Sequence, residues 1–160
     1  MLKGFSKTGK TTVTAAIIAE LRKRGHTVGT VKNIHHEVFA MDTPGTDTYR
    51  HRKSGAALVC ARGLRETALI FEGQVPIGLI LSLYTQDFVL LEGDSGVKCP
   101  RIITGITEAD LDAKFDGQTI AFSGVIAERL KNYRGLPVIN GVTDTAKLVD
   151  LIVESVRDDL

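Results

Sequence analysis

The chain opens on Gly4-Phe5-Ser6-Lys7-Thr8-Gly9-Lys10-Thr11, which reads G-x-x-x-x-G-K-[ST] letter for letter and runs straight into a helical pattern. Few motifs constrain a fold more, because this one demands a strand that ends, a loop that curls and a helix that starts in one short stretch. Gly4 and Gly9 take backbone angles that cost other residues, so the loop can turn its N–H groups inward on an anion. The helix that follows adds unpaired N–H groups and its positive dipole end at the same point. Gly4, Ser6, Lys7, Thr8, Gly9, Lys10, Thr11 and Thr12 are therefore the candidate nucleotide contacts. Lys10 is placed to reach the β and γ phosphates, and the Thr11 hydroxyl to complete a Mg²⁺ shell.

A phosphate loop ordinarily hangs from a buried strand, yet only Met1, Leu2 and Lys3 precede Gly4, fewer than the ~5 residues a typical strand uses. Three readings stand: a misassigned start, a truncated chain, or a strand that is simply short.

A chain of 160 residues fits a single domain over 1–160, large enough to bury a core without disulfides or structural metal. No apolar run approaches the ~18 residues of a membrane span, and a leader with a cleavage site is not visible. Cys60 and Cys99 read as free thiols of a reducing, cytoplasmic compartment. The net charge of +1 gives no global field toward nucleic acid, so any anion preference is local.

Along the chain, residues 12–24 carry Val13, Ile17 and Leu21 on one helical stripe, closed by Arg22 to Arg24 and capped by Gly25. Thr27 to Lys32 reads as a buried parallel strand, followed by a polar loop over 33–46. Thr46 or Asp47 caps a short helix through Lys53 that stops at Gly55. Ala56 to Ala61 and Thr67 to Phe71 read as two further buried strands, and Pro76 opens a helix carrying Ile77, Ile80, Leu81 and Tyr84. The remainder alternates strand 101–104, helix 108–114, strand 119–122, helix 125–131, strand 137–140 and helix 145–157. Strands separated by helices predict an α/β chain, a three-layer P-loop NTPase fold with a mostly parallel sheet.

Asp87-Phe88-Val89-Leu90-Leu91-Glu92-Gly93 is an apolar run ending in an acid, the Walker B pattern of a buried strand that delivers a carboxylate to the Mg²⁺ shell. Glu92 is the first choice for the acid that orders metal or attacking water; Asp42, as a metal contact, or Asp47, as a catalytic one, is the second.

The order of the Gly-rich loop, Val31-Lys32-Asn33-Ile34-His35-His36, Asp42-Thr43-Pro44-Gly45-Thr46-Asp47-Thr48-Tyr49-Arg50, Gly55-Ala56 and Leu91-Glu92-Gly93 resembles the molybdopterin-guanine dinucleotide biosynthesis protein B family, MobB, over most of residues 4–93. The D-x-P-G-x-D-[ST] and E-G elements carry far more of that resemblance than the phosphate loop does. It implies a homodimer that binds GTP, hydrolyses it slowly with Mg²⁺, and serves as adapter to a MobA-like molybdopterin guanylyltransferase acting on molybdopterin. It also implies the P-loop class of dethiobiotin synthetase and the metal-chaperone GTPases. This chain departs from the family where Lys32-Asn33 replaces Lys-His and where Asp94-Ser95 follows E-G. In this class a second loop lysine approaches the phosphates across the dimer. Lys7 stands off its usual position and reads either as that residue or as a solvated loop lysine.

His35 and His36, with Glu37, lack metal-ligand spacing; they read as contacts for pterin, phosphate or partner, or as solvated loop. In Tyr49-Arg50-His51-Arg52-Lys53, Arg50 and Lys53 share a helical face, and Arg50 and Arg52 are candidate contacts for a phosphate-bearing ligand such as molybdopterin; the bland reading is a solvated face. Cys60 reads as a core residue and Cys99 as an inert loop thiol. The [NT]-K-x-D signature for guanine is absent, so GTP over ATP rests on the resemblance alone. An ATP-dependent small-molecule kinase or ligase is the competing reading, with Arg62 and Arg65 as its only nearby lid arginines; a nucleotide-gated interaction protein without useful turnover is a third.

Overall fold

The computed structural model describes residues 1–36 and 38–157. They fall into two compact units, Met1–Asn33 with Tyr84–Leu160, and Ile34–Leu83. In chain order the strands are β1 (Leu2–Gly4), β2 (Val28–Lys32), β3 (Leu58–Arg62), β4 (Thr67–Phe71), β5 (Phe88–Glu92), β6 (Arg101–Thr104), β7 (Thr119–Ser123), β8 (Asn132–Tyr133) and β9 (Leu136–Pro137). The helices are α1 (Lys10–Lys23), α2 (Asp47–Lys53), α3 (Ile77–Ser82), α4 (Glu108–Asp112) and α5 (Thr145–Arg157).

The first unit is built on a five-stranded sheet of order β2-β5-β1-β6-β7, every pair of it parallel. The three-residue β1 lies at its centre, with Leu2 opposite both Glu92 and Ile102 and only 1% exposed. Side chains alternate across the sheet with the two-residue period of a strand. Ile102 and Ala121 join Leu2, Val13, Ile17, Leu21, Leu148 and Val149 in a core under α1 and α5. Their neighbours Ile103 and Phe122 point the other way, against Leu111, Ile126, Ala127 and Val138. Both faces of the sheet are thus covered, which makes the expected three layers.

Local signals account for the helix ends. Gly25 at φ +89 donates to Arg22 O while His26 N–H donates to Leu21 O, a Schellman closure of α1. Thr107 and Asp110 form a reciprocal capping box on α4.

Three expectations for this unit are corrected. β2 is an edge strand, paired only to β5 and partly exposed, because the strand order places it last rather than inside. The helix expected over 125–131 is a 3-10 turn, Val125–Glu128, since the chain enters it from Gly124 at φ +86 and leaves into the β8–β9 hairpin. The strand expected over 137–140 shrinks to Leu136–Pro137 plus one parallel bridge from Val138 to Phe122.

β1 spans three residues. Only Glu92 of β5 is paired with it, and a cavity of about 320 Å³ lies against the earlier residues, lined by Met1, Phe88, Leu90, Ile102, Ile120 and Val153 among others.

In the second unit Thr46 caps α2, its hydroxyl accepting from Tyr49 N–H at 3.2 Å. β3 and β4 pair antiparallel, Leu58 opposite Phe71 and Arg62 opposite Thr67, and form a separate two-stranded sheet. This corrects the expectation of buried strands: Leu58, Cys60 and Leu69 are exposed and only Val59 is buried. Residues 63–66 are too few for a parallel crossover, so a hairpin is the only pairing that they permit. Cys60 is accordingly a surface thiol rather than a core residue. Among the described residues no helix is long and apolar enough to cross a membrane.

Candidate functional site

The site is assembled in the first unit where β1, β5 and β6 release their chains. At Gly4 a Cβ would lie 2.3 Å from Thr104 Oγ1 and 2.4 Å from Thr104 O, so only glycine lets the loop leave β1 against β6. Phe5, Ser6 and Lys7 are exposed, Lys7 at φ +63, and Gly9 at φ +94 leads into α1. Thr8 is 1% exposed. Its hydroxyl donates to Phe5 O at 2.9 Å and shares a 2.7 Å hydrogen bond with Thr104 Oγ1. The Thr8 side chain thus anchors the loop to β6.

Gly124 presses on the loop from the end of β7: a Cβ there would sit 2.3 Å from Thr8 O. Nothing in the sequence pattern marks it, because the contact joins residues far apart in the chain. The start of α1 carries no side-chain cap and no acid in its first turn, and the Thr12 side chain is exposed beside it.

Lys10 Nζ donates across the loop to Phe5 O. Its pKa lies below the ordinary lysine value, chiefly through burial; the neighbouring charges of Lys32 and Lys114 push the same way and Glu92 opposes them. Lys114 Nζ lies 4.7 Å from the centre of the Phe5 ring, adding another cation at the loop's flank.

Thr11 and Glu92 meet. The Thr11 hydroxyl donates to Glu92 Oε1 at 3.0 Å, and Lys32 Nζ stands 3.1 Å from that same oxygen. The Glu92 side chain is 10% exposed and that of Lys32 54%. Beyond the carboxylate, Gly93 at φ +93 brings the chain so close to Asn33 that a Cβ would lie 3.3 Å from Asn33 Cβ. Asn33 bonds back to both segments, its N–H to Glu92 O at 2.9 Å and its side-chain amide to Asp94 O. The Lys3–Asp94 ion pair at 2.9 Å closes the same turn onto β1. The E-G element is thus a glycine-dependent turn clamped from two neighbouring strands.

The remaining candidate residues lie in the second unit. The Asp42 side chain is 4% exposed. One oxygen accepts from Thr48 Oγ1 at 2.9 Å, Thr46 Oγ1 at 3.0 Å and Thr43 N–H at 3.1 Å. Burial works to raise its pKa, but those hydrogen bonds and the Arg52 guanidinium outweigh it, so the carboxyl titrates below the ordinary value. Arg52 stands 3.6 Å from Asp42 and 3.4 Å from Glu72. Asp42 Oδ2 and Arg52 Nε are buried without a hydrogen-bond partner.

The turn over 42–48 is therefore an internally bonded loop, and Arg52, expected to face a ligand, braces it. Asp47 is 88% exposed and pairs with Arg50, itself 77% exposed, at 3.7 Å. His35 and His36 are exposed, and Glu37 lies outside the described residues. Among the described residues no three His, Cys, Asp or Glu side chains gather as a metal cluster.

Lys32, Thr104 and Gly124 are the site-building residues that the sequence reading missed. Only Lys32 left a signal, a lysine at the carboxyl end of the strand after the loop helix; the others depend on strand order.

Comparison with known proteins bears on this geometry. The family model described as "Molybdopterin guanine dinucleotide synthesis protein B" matches residues 1–122. The chain is 28% identical over 160 residues to the "Molybdopterin-guanine dinucleotide biosynthesis adapter protein" of Escherichia coli (strain K12), covering 94% of this chain and 88% of that protein. It is similar to the crystal structure of Bacillus subtilis MobB, with a TM-score of 0.76 and 26% identity over 96% of this chain and 94% of that one. A MobB protein homolog from Bacillus stearothermophilus shares the fold, with a TM-score of 0.70 at 23% identity over 98% of this chain and 96% of that one.

Proposed function

The chain belongs to the MobB family of molybdopterin guanine dinucleotide synthesis proteins, and from that premise we propose that it is an adapter of molybdopterin guanine dinucleotide biosynthesis that binds GTP with Mg²⁺ and hydrolyses it slowly. The observation that carries the nucleotide part is the convergence of Lys10, Thr11 and Glu92 on the mouth of the loop, with Glu92 buried and bonded to the Thr11 hydroxyl.

The donor set fits the ligand. A hard divalent cation takes oxygen ligands, and a hydroxyl beside a buried carboxylate supplies the protein's share of a shell that phosphate oxygens and water complete. When bound, Mg²⁺ would neutralise charge on the β and γ phosphates. The chain's own groups do the rest: the loop N–H groups of residues 6–11 cradle the phosphates, Lys10 neutralises them, and Glu92 orders the metal shell or the water.

Exposed Leu58, Leu64 and Leu69 on the β3–β4 hairpin support a homodimer, since a second copy would cover them. Exposed His35, His36 and Arg50 are the contacts that we assign to molybdopterin or to the guanylyltransferase partner.

Equilibrium binding of GTP and ATP, each with Mg²⁺, tests the reading. GTP binding that disappears in Lys10→Ala supports it; ATP preference would transfer the site to the kinase or ligase alternative.

A further inference from the structure

Lys32 is a charged group at the site that the nucleotide reading does not use. It sits at the last position of β2, in register opposite Glu92 of β5. Its ammonium lies 3.1 Å from Glu92 Oε1, the oxygen that also accepts from Thr11 at 3.0 Å. The ammonium thus contacts the same carboxylate oxygen that the Mg²⁺ reading gives to a divalent cation. The Glu92 carboxylate is buried, and a buried charge without a counter-ion is costly. The Lys32 side chain, by contrast, is half exposed on an edge strand.

We propose that Lys32 is a built-in stand-in for the divalent cation: it neutralises Glu92 when no metal is bound and yields that position when the metal arrives. The proposal rests on the nucleotide-binding reading for its setting. Its consequence is that the phosphate loop never faces a naked carboxylate. With Lys32 present, phosphate can enter before the metal. Without it, Glu92 and the incoming phosphates repel each other across a site of low dielectric, unless metal is already there. Asn33, clamped between Glu92 and Asp94, fixes the backbone next to Lys32, so the exchange needs only side-chain motion.

The test measures nucleotide affinity in EDTA and in Mg²⁺ for the wild-type chain, Lys32→Ala and Lys32→Gln. A loss of about tenfold or more in EDTA, equivalent to about 1.4 kcal/mol, with a much smaller loss in Mg²⁺, supports the proposal. Equal loss under both conditions overturns it, because an ordinary phosphate contact or a folding defect would act regardless of metal; so does unchanged affinity in both. In a Glu92→Gln background the Lys32→Ala change is expected to cost nothing in EDTA, and a persisting loss there overturns the proposal as well.

A second arm uses no nucleotide. Mn²⁺ binding to the free chain, read by electron paramagnetic resonance, is expected to tighten several-fold in Lys32→Ala, and unchanged or weaker binding contradicts the stand-in role. If the wild-type chain binds no nucleotide, the functional reading falls and this arm alone decides the role of Lys32.

Discussion

The Thr11 hydroxyl donates to Glu92 Oε1 at 3.0 Å, joining the first turn of the loop helix to the end of β5, the strand next to the edge strand β2. One residue belongs to the phosphate loop and the other to the apolar strand ending in E-G, and register between β1 and β5 brings them together. On this account Glu92→Gln, which keeps the shape and removes the charge, leaves the fold intact. It reduces the Mg²⁺-dependent gain in nucleotide affinity by about tenfold, the scale of a lost charge-assisted contact. Isothermal titration with and without Mg²⁺ checks this, and an undiminished metal effect would remove Glu92 from the shell.

Gly124 predicts a cost that no ligand is needed to see. Its φ of +86 with ψ of −156 is essentially a glycine conformation, and an added Cβ would meet Thr8 O at 2.3 Å. Gly124→Ala should therefore destabilise the chain by about 2 kcal/mol or more. For a chain of this size that is a fall of roughly 5 °C in Tm. Gly117→Ala, where a Cβ meets nothing within 4 Å, is the control expected to change little.

Much of the fold was legible because buried parallel strands and their helices announce themselves by pattern: Arg101–Thr104 and Thr145–Arg157 are found where the sequence places them. The site was legible in the part where chemistry is written locally, as in Lys10, Thr11 and the Glu92-Gly93 turn. What escaped was whatever depends on spatial order. Nothing local says that β2 is an edge strand, that Thr8 turns inward to Thr104, or that Lys32 stands opposite Glu92. The hairpin of β3 and β4 is hidden for a different reason: apolar composition suggests burial, although the short connection after Arg62 excludes a crossover.

Asp42 predicts an acid limb in stability. Its folded-state pKa is depressed, so the stability that it contributes is fully present above the unfolded carboxylate value and is lost as pH falls from that value through the folded one. Loosening of the second unit is thus expected to begin as pH drops below about 4, the ordinary aspartate range. Asp42→Asn should flatten that limb while lowering stability at neutral pH, because Arg52 then loses one of its two carboxylate partners. Thermal melts from pH 3 to 7 would read this, and an Asn variant with the wild-type acid profile would show that other carboxylates set it.

The cavity of about 320 Å³ beside β5 predicts that the first strand can be lengthened to advantage. Two or three apolar, β-forming residues added ahead of Met1 would continue β1 alongside β5 and bury side chains against Phe88, Leu90 and Ile120. Each large apolar side chain buried this way is worth about 1.5–3 kcal/mol, so Tm should rise by several degrees. An unchanged or lower Tm would mean that the inner edge of β5 does not accept a strand.

The measurement that tests the central claim most directly is equilibrium binding of GTP to the wild-type chain in Mg²⁺, beside ATP and beside Lys10→Ala. The account predicts GTP binding, weaker ATP binding, and loss of both in the Lys10 variant, whose fold is unchanged by circular dichroism. No binding of either nucleotide, or GTP binding that survives in Lys10→Ala, would contradict it.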